Sequence, residues 1–273
     1  MSAPPPPLLL DIERIERRAW DDLLRVFPAP LAQAIGLETA QINHTLFLMA
    51  SRVPQFQFNW LHGAGLNGDD GRSITAAVQR FRAAGQHKFI IQIPPGPNAD
   101  ACAARAREAG LAEHALAWAK FHRLTQDAPV VDSPLVIREV GTDERDLFAA
   151  TAVAGFGMPP PLASWLAQIV GRPHWHAYVS FEGSEAAGAA ALYVDGEFAW
   201  LGIGATKPEM RKRGGQSALL ARRIADAAKL GAKHATTETG VPQPGQPSPS
   251  YTNILRAGFE IAYVRPNWAE APR

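Results

Sequence analysis

One stretch constrains this chain more than any other: a strand-type run from Glu197 to Thr206, a basic loop with two adjacent glycines, and a helix-type run from Gln216 to Leu230 closed by Gly231. Apolar periodicity near two, followed by periodicity near 3.6, is a strand delivered into a helix through a short turn. A chain built on that step must bury a sheet under helices, which points to mixed α/β architecture. The 23 glycines and 23 prolines punctuate the rest in the same way and predict many short elements.

The remaining sequence repeats the pattern. Asp11 is placed to cap a helix running to about Arg25, and strand-like runs occupy residues 41–50 and 55–61. After the turn-rich Gly63 to Gly71, Ser73 is placed to cap a helix ending at Gly85. A buried strand is expected over residues 87–93, a helix over 99–109, and the run 115–124 reads as strand or as alanine-rich helix. Polar, proline-bearing residues 125–134 read as a linker, placing a boundary near residue 130 between a unit of residues 1–130 and one of 131–273. Beyond it the expected order is a strand at 135–140, helices at 143–154 and 160–170, and strands at 175–181 and 187–194. An Asp195-Gly196 hairpin turn leads into the run from Glu197. The final elements are a strand at 233–239, a short helix at 250–257 and a strand at 259–264. Glu108-Ala109-Gly110-Leu111 and Arg256-Ala257-Gly258-Phe259 stand at matching places in the two halves; internal duplication and the shared grammar of α/β proteins both account for this.

Composition excludes several functions. Twenty-seven basic against 26 acidic residues give a net charge of +1, so no global field draws nucleic acid or an anionic membrane. No stretch approaches the roughly 20 apolar residues that span a bilayer. The single Cys102 forms no internal disulfide and the first residues lack a basic n-region, so a cytoplasmic location is expected. Cys102 itself lies in an alanine-rich helix and reads as core.

The chemistry concentrates in the basic loop. Backbone N–H groups around Gly214 and Gly215, at a positive helix end, form a concavity suited to phosphate, and Arg211, Lys212 and Arg213 add cations whose nearest acidic neighbour in sequence is Glu209. A nucleotide triphosphate loop is excluded because Gln216 follows Gly215 where a lysine belongs. Gly202-Ile203-Gly204 opens like a dinucleotide fingerprint but has Lys207 at the third glycine. His174-Trp175-His176 has metal-compatible spacing without a third ligand nearby, and no metal is expected. Arg222 and Arg223 read as a solvated helix face, and the seven tryptophans mostly as core.

The loop resembles the acyl-coenzyme A site of the GNAT superfamily of N-acyltransferases. That signature has Arg or Gln, two residues, Gly, one residue, then Gly or Ala; Arg211 and Gly214 match, Pro208 precedes them, and Gln216 replaces the small sixth residue. Ser250 to Phe259 resembles the family's closing helix running into Gly-Phe. The resemblance covers about residues 135 to 268 and implies a twisted mixed sheet whose fourth and fifth strands splay apart around the pantetheine chain of acetyl-coenzyme A. It implies pantetheine contacts from Ala205 and Thr206, pyrophosphate contacts from Arg211, Lys212, Arg213, Gly214, Gly215, Gln216 and Ser217, and a cofactor contact or loop cap from Asn253. The first half, with Asp69 and Asp70 where a phosphate loop would be, is expected to be a degenerate copy contributing packing and a cleft wall. Acetyl transfer to a primary amine in a ternary complex follows, with a coenzyme-binding protein lacking efficient chemistry as the alternative. Glu238 is the candidate base, or else a carboxylate paired at the sheet end. The family's usual tyrosine position holds Ile254 and a frequent asparagine position holds Pro247, so Tyr251, one turn away, is the candidate acid.

Overall fold

A computed structural model describes residues 6–271. In chain order the elements are α1 (Pro6–Arg25), α2 (Ala29–Ile35), β1 (Leu37–Ile42), β2 (Thr45–Ala50), β3 (Asn59–His62), α3 (Arg72–Ala83), β4 (Ile90–Gln92), α4 (Ala99–Glu108), β5 (Leu111–Glu113) and β6 (Trp118–Leu124). The chain continues with β7 (Val136–Glu139), α5 (Arg145–Phe156), α6 (Ala163–Leu166), β8 (Trp175–Glu182), β9 (Glu185–Asp195), β10 (Phe198–Trp200) and β11 (Ala205–Thr206). It ends with α7 (Gly215–Lys229), β12 (His234–Gly240), α8 (Pro249–Arg256), β13 (Glu260–Arg265) and β14 (Asn267–Glu270). The mixed α/β class follows from this order.

Several elements depart from the sequence reading. Helix α1 starts before Asp11, which lies inside it. Helix α2 was hidden because its only anchors are Pro28 before it and the left-handed Gly36 after it, and none of its residues is buried. The expected strand over 41–50 is a hairpin, β1 and β2, turning at Asn43, whose φ of 53° suits asparagine. Residues 118–124 are strand, which settles the strand-or-helix ambiguity. Helix α3 is capped by Gly71 and not by the side chain of Ser73.

Two sheets form. The first has the order β1-β2-β3-β4-β14-β5, and the second β13-β6-β12-β10-β9-β8-β7, with β11 paired to β9. The halves trade a strand. β6 inserts between β12 and β13, and β14 inserts between β4 and β5, each antiparallel to both neighbours. Trp118–Leu124 is seven residues with only Ala119, Lys120 and Phe121 buried, a short amphipathic strand that either sheet could accept by periodicity alone.

Helices α3 and α4 cover one face of the first sheet through Ile74, Phe81, Cys102 and Ala106, and α7 and α8 cover one face of the second through Leu219, Ile224 and Ile254. Between the sheets, Ile15, Ala19 and Leu23 of α1 join Leu48 and Trp60 of the first sheet and Trp175 and Trp200 of the second. The indole of Trp20 lies 5.6 Å from Trp60 and 6.2 Å from Trp200, so tryptophans join the two sheets through α1.

Candidate functional site

The expected single strand from Glu197 to Thr206 is broken. β10 runs parallel to β12 from Phe198 opposite His234 to Trp200 opposite Thr236, and the last links are Leu201 N–H to Thr236 O at 2.8 Å and Thr237 Oγ1 to Leu201 O at 2.8 Å. Beyond them β11 pairs only with β9, while β12 continues along β6 to Gly240. The two strands therefore diverge, leaving an edge on each. The turning point is Ile203, held at φ 50°, a costly conformation for a β-branched residue. Glycines on either side permit it. A Cβ at Gly202 would fall 2.1 Å from the ring of Trp200, and one at Gly204 would meet the Gln216 amide at 2.7 Å.

Arg223 spans the interruption between β10 and β11 on the β9 side, where Gly202 O also accepts from Ala191 N–H at 3.1 Å. Arg223 is 1% exposed and has no carboxylate partner among the described residues, so burial lowers its pKa to about 10. Its Nη1 donates to Ala191 O at 2.9 Å and Gly202 O at 3.0 Å, and Nε to Leu219 O at 3.1 Å. The solvated-face reading fails for Arg223, while Arg222 is half-buried, paired with Asp226 at 2.5 Å and donating to Ile137 O at 3.1 Å. Sequence reasoning assigns arginine to the surface by default, and only the unusual Gly-Ile-Gly opposite the helix signalled a backbone needing a buried donor.

Helix α7 opens at this divergence. Gly214 sits at φ 79° as its first flanking residue, no side chain caps it, and the first N–H groups stay available. Gly215 is buried, where a Cβ would meet Leu135 at 2.8 Å, and Gln216 and Ser217 are half-buried behind it. Arg211, Lys212 and Arg213 are exposed around this end. Arg213 is paired with Glu182 of β8, a partner far in sequence, while Glu209 offers it only a backbone oxygen at 3.5 Å. Ala205 and Thr206 lie on β11, opposite Ala189 and Gly188, with their other edge toward the gap. Gln216 reaches over that edge, its Oε1 accepting from Thr206 Oγ1 at 3.5 Å. The cradle is glycine-lined, cationic at its mouth and rich in unpaired backbone donors, so it fits a pyrophosphate followed by an extended amide chain.

At the closed end of the gap stands Glu238. Trp200 Nε1 and Lys120 Nζ both donate to its Oε2 at 2.9 Å. Burial, and behind it the charge of Glu16, holds this carboxyl above the ordinary carboxylate range, with Lys120 pulling the other way. Lys120 also pairs with Glu16, and Glu16 accepts from Arg265 Nη1 and Nη2 at 3.0 Å each. Glu13 accepts from Arg265 at 2.9 Å and from the Tyr263 hydroxyl at 2.7 Å. None of Lys120, Glu16 or Trp200 was singled out from sequence, because α1 around Glu16 reads as an ordinary charged helix and Lys120 and Trp200 lie in short strand runs whose partners are distant in sequence. Tyr251, the other catalytic candidate, turns its ring edge-on to Phe121 at 5.2 Å on the α8 side of the sheet, and Asn253 is half-buried two residues further along α8.

Glu13, Glu16 and His62 are the group with metal-ligand spacing among the described residues. The guanidinium of Arg265 sits where an ion would, its Nη1 within 2.8 to 3.0 Å of His62 Nε2, Glu13 Oε2 and Glu16 Oε2, so this donor set serves a cation the chain itself supplies. His174 precedes β8 at φ 70° and meets Val194 O at 2.7 Å, whereas His176 meets Glu139 at 2.8 Å. In the first half, the carboxylate of Asp69 fills the loop that precedes α3, accepting from Gly65 N–H at 3.0 Å and Ser73 Oγ at 2.6 Å. The Gly65 and Ser73 N–H groups of this loop are thus taken by a carboxylate of the chain itself.

No protein-family model and no curated protein matches the sequence. Among solved structures, a GCN5-related N-acetyltransferase from Kribbella flavida aligns over 96% of each chain with a TM-score of 0.62 at 14% identity. A GCN5-related N-acetyltransferase from Sphaerobacter thermophilus aligns over 78% of this chain and 72% of its own, with a TM-score of 0.56 at 16% identity. A tandem GNAT protein from the clavulanic acid biosynthesis pathway aligns over 87% and 79%, with a TM-score of 0.53 at 17% identity. With its broken strand β10–β11, glycine-opened helix and closing helix-Gly-Phe step, the chain shares the GNAT fold of these structures.

Proposed function

We propose that the protein is an N-acetyltransferase that uses acetyl-coenzyme A and a primary amine in one ternary complex. The observation that carries this reading is the divergence of β10–β11 from β12 directly over the uncapped glycine end of α7. A pantetheine chain has amide groups for the free edges of β11 and β12, and a pyrophosphate has oxygens for the α7 N–H groups and for Arg211, Lys212 and Arg213. Acetyl-coenzyme A supplies an activated acetyl group. The chain's own task is to hold it, exclude water and take a proton from the amine, which attacks only when neutral. Glu238 suits the last role: it stands at the head of the gap and burial holds its carboxyl above the ordinary carboxylate range. Tyr251 is the proposed proton donor to the departing thiolate, and Asn253 a cofactor contact.

Calorimetric titration tests the donor site. Wild type is expected to bind acetyl-coenzyme A at micromolar to millimolar concentration, and the Arg213→Glu, Gly215→Glu double variant to lose that binding. Absence of heat with wild type would remove the assignment. Thiol release with an amine separates the enzyme from the second reading, a coenzyme-binding protein, which the Lys120–Glu238 ion pair favours.

A further inference from the structure

Lys120 belongs to β6, the strand that the first part of the chain lends to the second sheet, and its register partner there is Glu238. It is fully buried. A lysine is placed in such a position only with its ammonium paired, and here it is paired twice, to Glu16 of α1 and to Glu238 of β12. Both donors that reach Glu238, Lys120 Nζ and Trp200 Nε1, fall on the same oxygen, Oε2. Among the described residues no protein donor reaches Oε1, and the side chain keeps 14% of its surface exposed. One carboxylate oxygen is clamped while the other is open.

We propose that Lys120 is a positioning residue for Glu238, so that the first part of the chain completes the active site carried by the second. The inference rests on the reading of Glu238 as base. An ammonium acceptor gives one proton to Oε1: the N–H bond breaks, the O–H bond forms, the lone pair stays on nitrogen, and the carboxylate becomes a neutral acid. Lys120 keeps its three protons throughout. The two donors fix the plane of the carboxyl, while Glu16 sets how readily it takes a proton. The charged or titratable groups around Glu238 are Lys120 from β6, Glu16 and behind it Glu13 from α1, Arg265 and Tyr263 from β13, and His62 from β3. Two neighbours of opposite sign displace the Glu238 carboxyl in opposite directions, and the acidic limb of turnover follows those displacements only when Glu238 is the group that takes the proton, which a purely structural ion pair does not require.

The test follows Glu238 in protein labelled with 13C at the glutamate carboxyl, its resonance identified by its loss in Glu238→Gln. In parallel, the pH profile of thiol release from acetyl-coenzyme A is measured over spermidine, tyramine, glucosamine and kanamycin. Lys120→Gln removes the cation and keeps a donor, and should move the carboxyl midpoint and the acidic limb of the profile up by about one pH unit. Glu16→Gln should move both down, and Lys120→Arg should restore the wild-type midpoint. Trp200→Phe, which removes the second donor without changing charge, should move the midpoint up and serves where Glu16→Gln does not fold. Shifts of one sign for the two charge variants, or an unmoved midpoint in folded protein, would overturn the proposal. Should wild type release thiol with no amine, the transferase reading fails by itself. The carboxyl titration then separates the two failures: opposite displacements leave the Lys120–Glu238–Glu16 contact standing as an ion pair without a base to position, and a fixed midpoint removes the contact as well.

Discussion

At the scale of single residues, Gly202 is the tightest point of the site. Its missing side chain is the space over which the Trp200 ring lies, and that ring brings its N–H to Glu238. Gly202→Ala therefore pushes the indole off its seat. Overpacking of this kind costs about 1–3 kcal/mol; a thermal melt should register the loss and tryptophan emission should shift. A melt unchanged from wild type would mean that the ring moves freely. Gly214 differs in kind, since its φ of 79° and not its surroundings demands glycine. Such residues were legible beforehand: Gly214, Gly215 and Gly258 punctuate the sequence where a turn must form, and punctuation is local information. Lys120, Glu16 and Arg223 were not. Charged side chains belong to the surface in any pattern-based reading, and what buries them is a partner distant in sequence.

At the scale of elements, the broken fourth strand and helix α7 act as one device. Where β10 gives way to β11 the pairing with β9 is interrupted, and the guanidinium of Arg223, fixed on α7, bonds the carbonyls of Ala191 and Gly202 across that break. Lysine has no planar fork with which to do the same. Arg223→Lys should cost about 2 kcal/mol, in the range for hydrogen bonds from a charged group, and should weaken acetyl-coenzyme A binding because the gap loses its fixed width. Calorimetry beside a denaturant melt separates the two effects; undiminished affinity with lowered stability would show that the gap keeps its shape without the fork. The sequence signal for this device was Gly202-Ile203-Gly204, which excluded a dinucleotide site but announced a backbone that leaves the strand conformation.

At the scale of the whole molecule, the ion cluster beneath α1 ties both sheets to one helix. Burial works against charge on Glu13, yet Arg265 and His62 hold its carboxyl down to about 2. A carboxyl whose folded pKa lies below its unfolded value stabilises the protein above the unfolded pKa and loses that contribution as pH falls through the folded one. The cluster's support is thus complete above about pH 4.5 and withdrawn toward pH 2. Burial likewise opposes charge on His62, but Glu16 and Glu13 raise its pKa, so its support has the reverse sign and fades as pH rises through that value. Glu13→Gln should cost about 3–5 kcal/mol near neutrality, the penalty for an uncompensated buried partner, and much less near pH 2. Denaturant melts across that range check it; a cost independent of pH would mean that the carboxylate charge plays no part.

The trade of β6 for β14 was beyond any local reading, since both strands carry ordinary periodicity and only the completed sheets show which one receives them. Its consequence concerns synthesis. β4 and β5 emerge from the ribosome early and find no partner between them until Asn267–Glu270 arrive, more than half a chain later. The first sheet closes last, although most of it is made first. A nascent chain carries two unsatisfied edges until Asn267–Glu270 have been made.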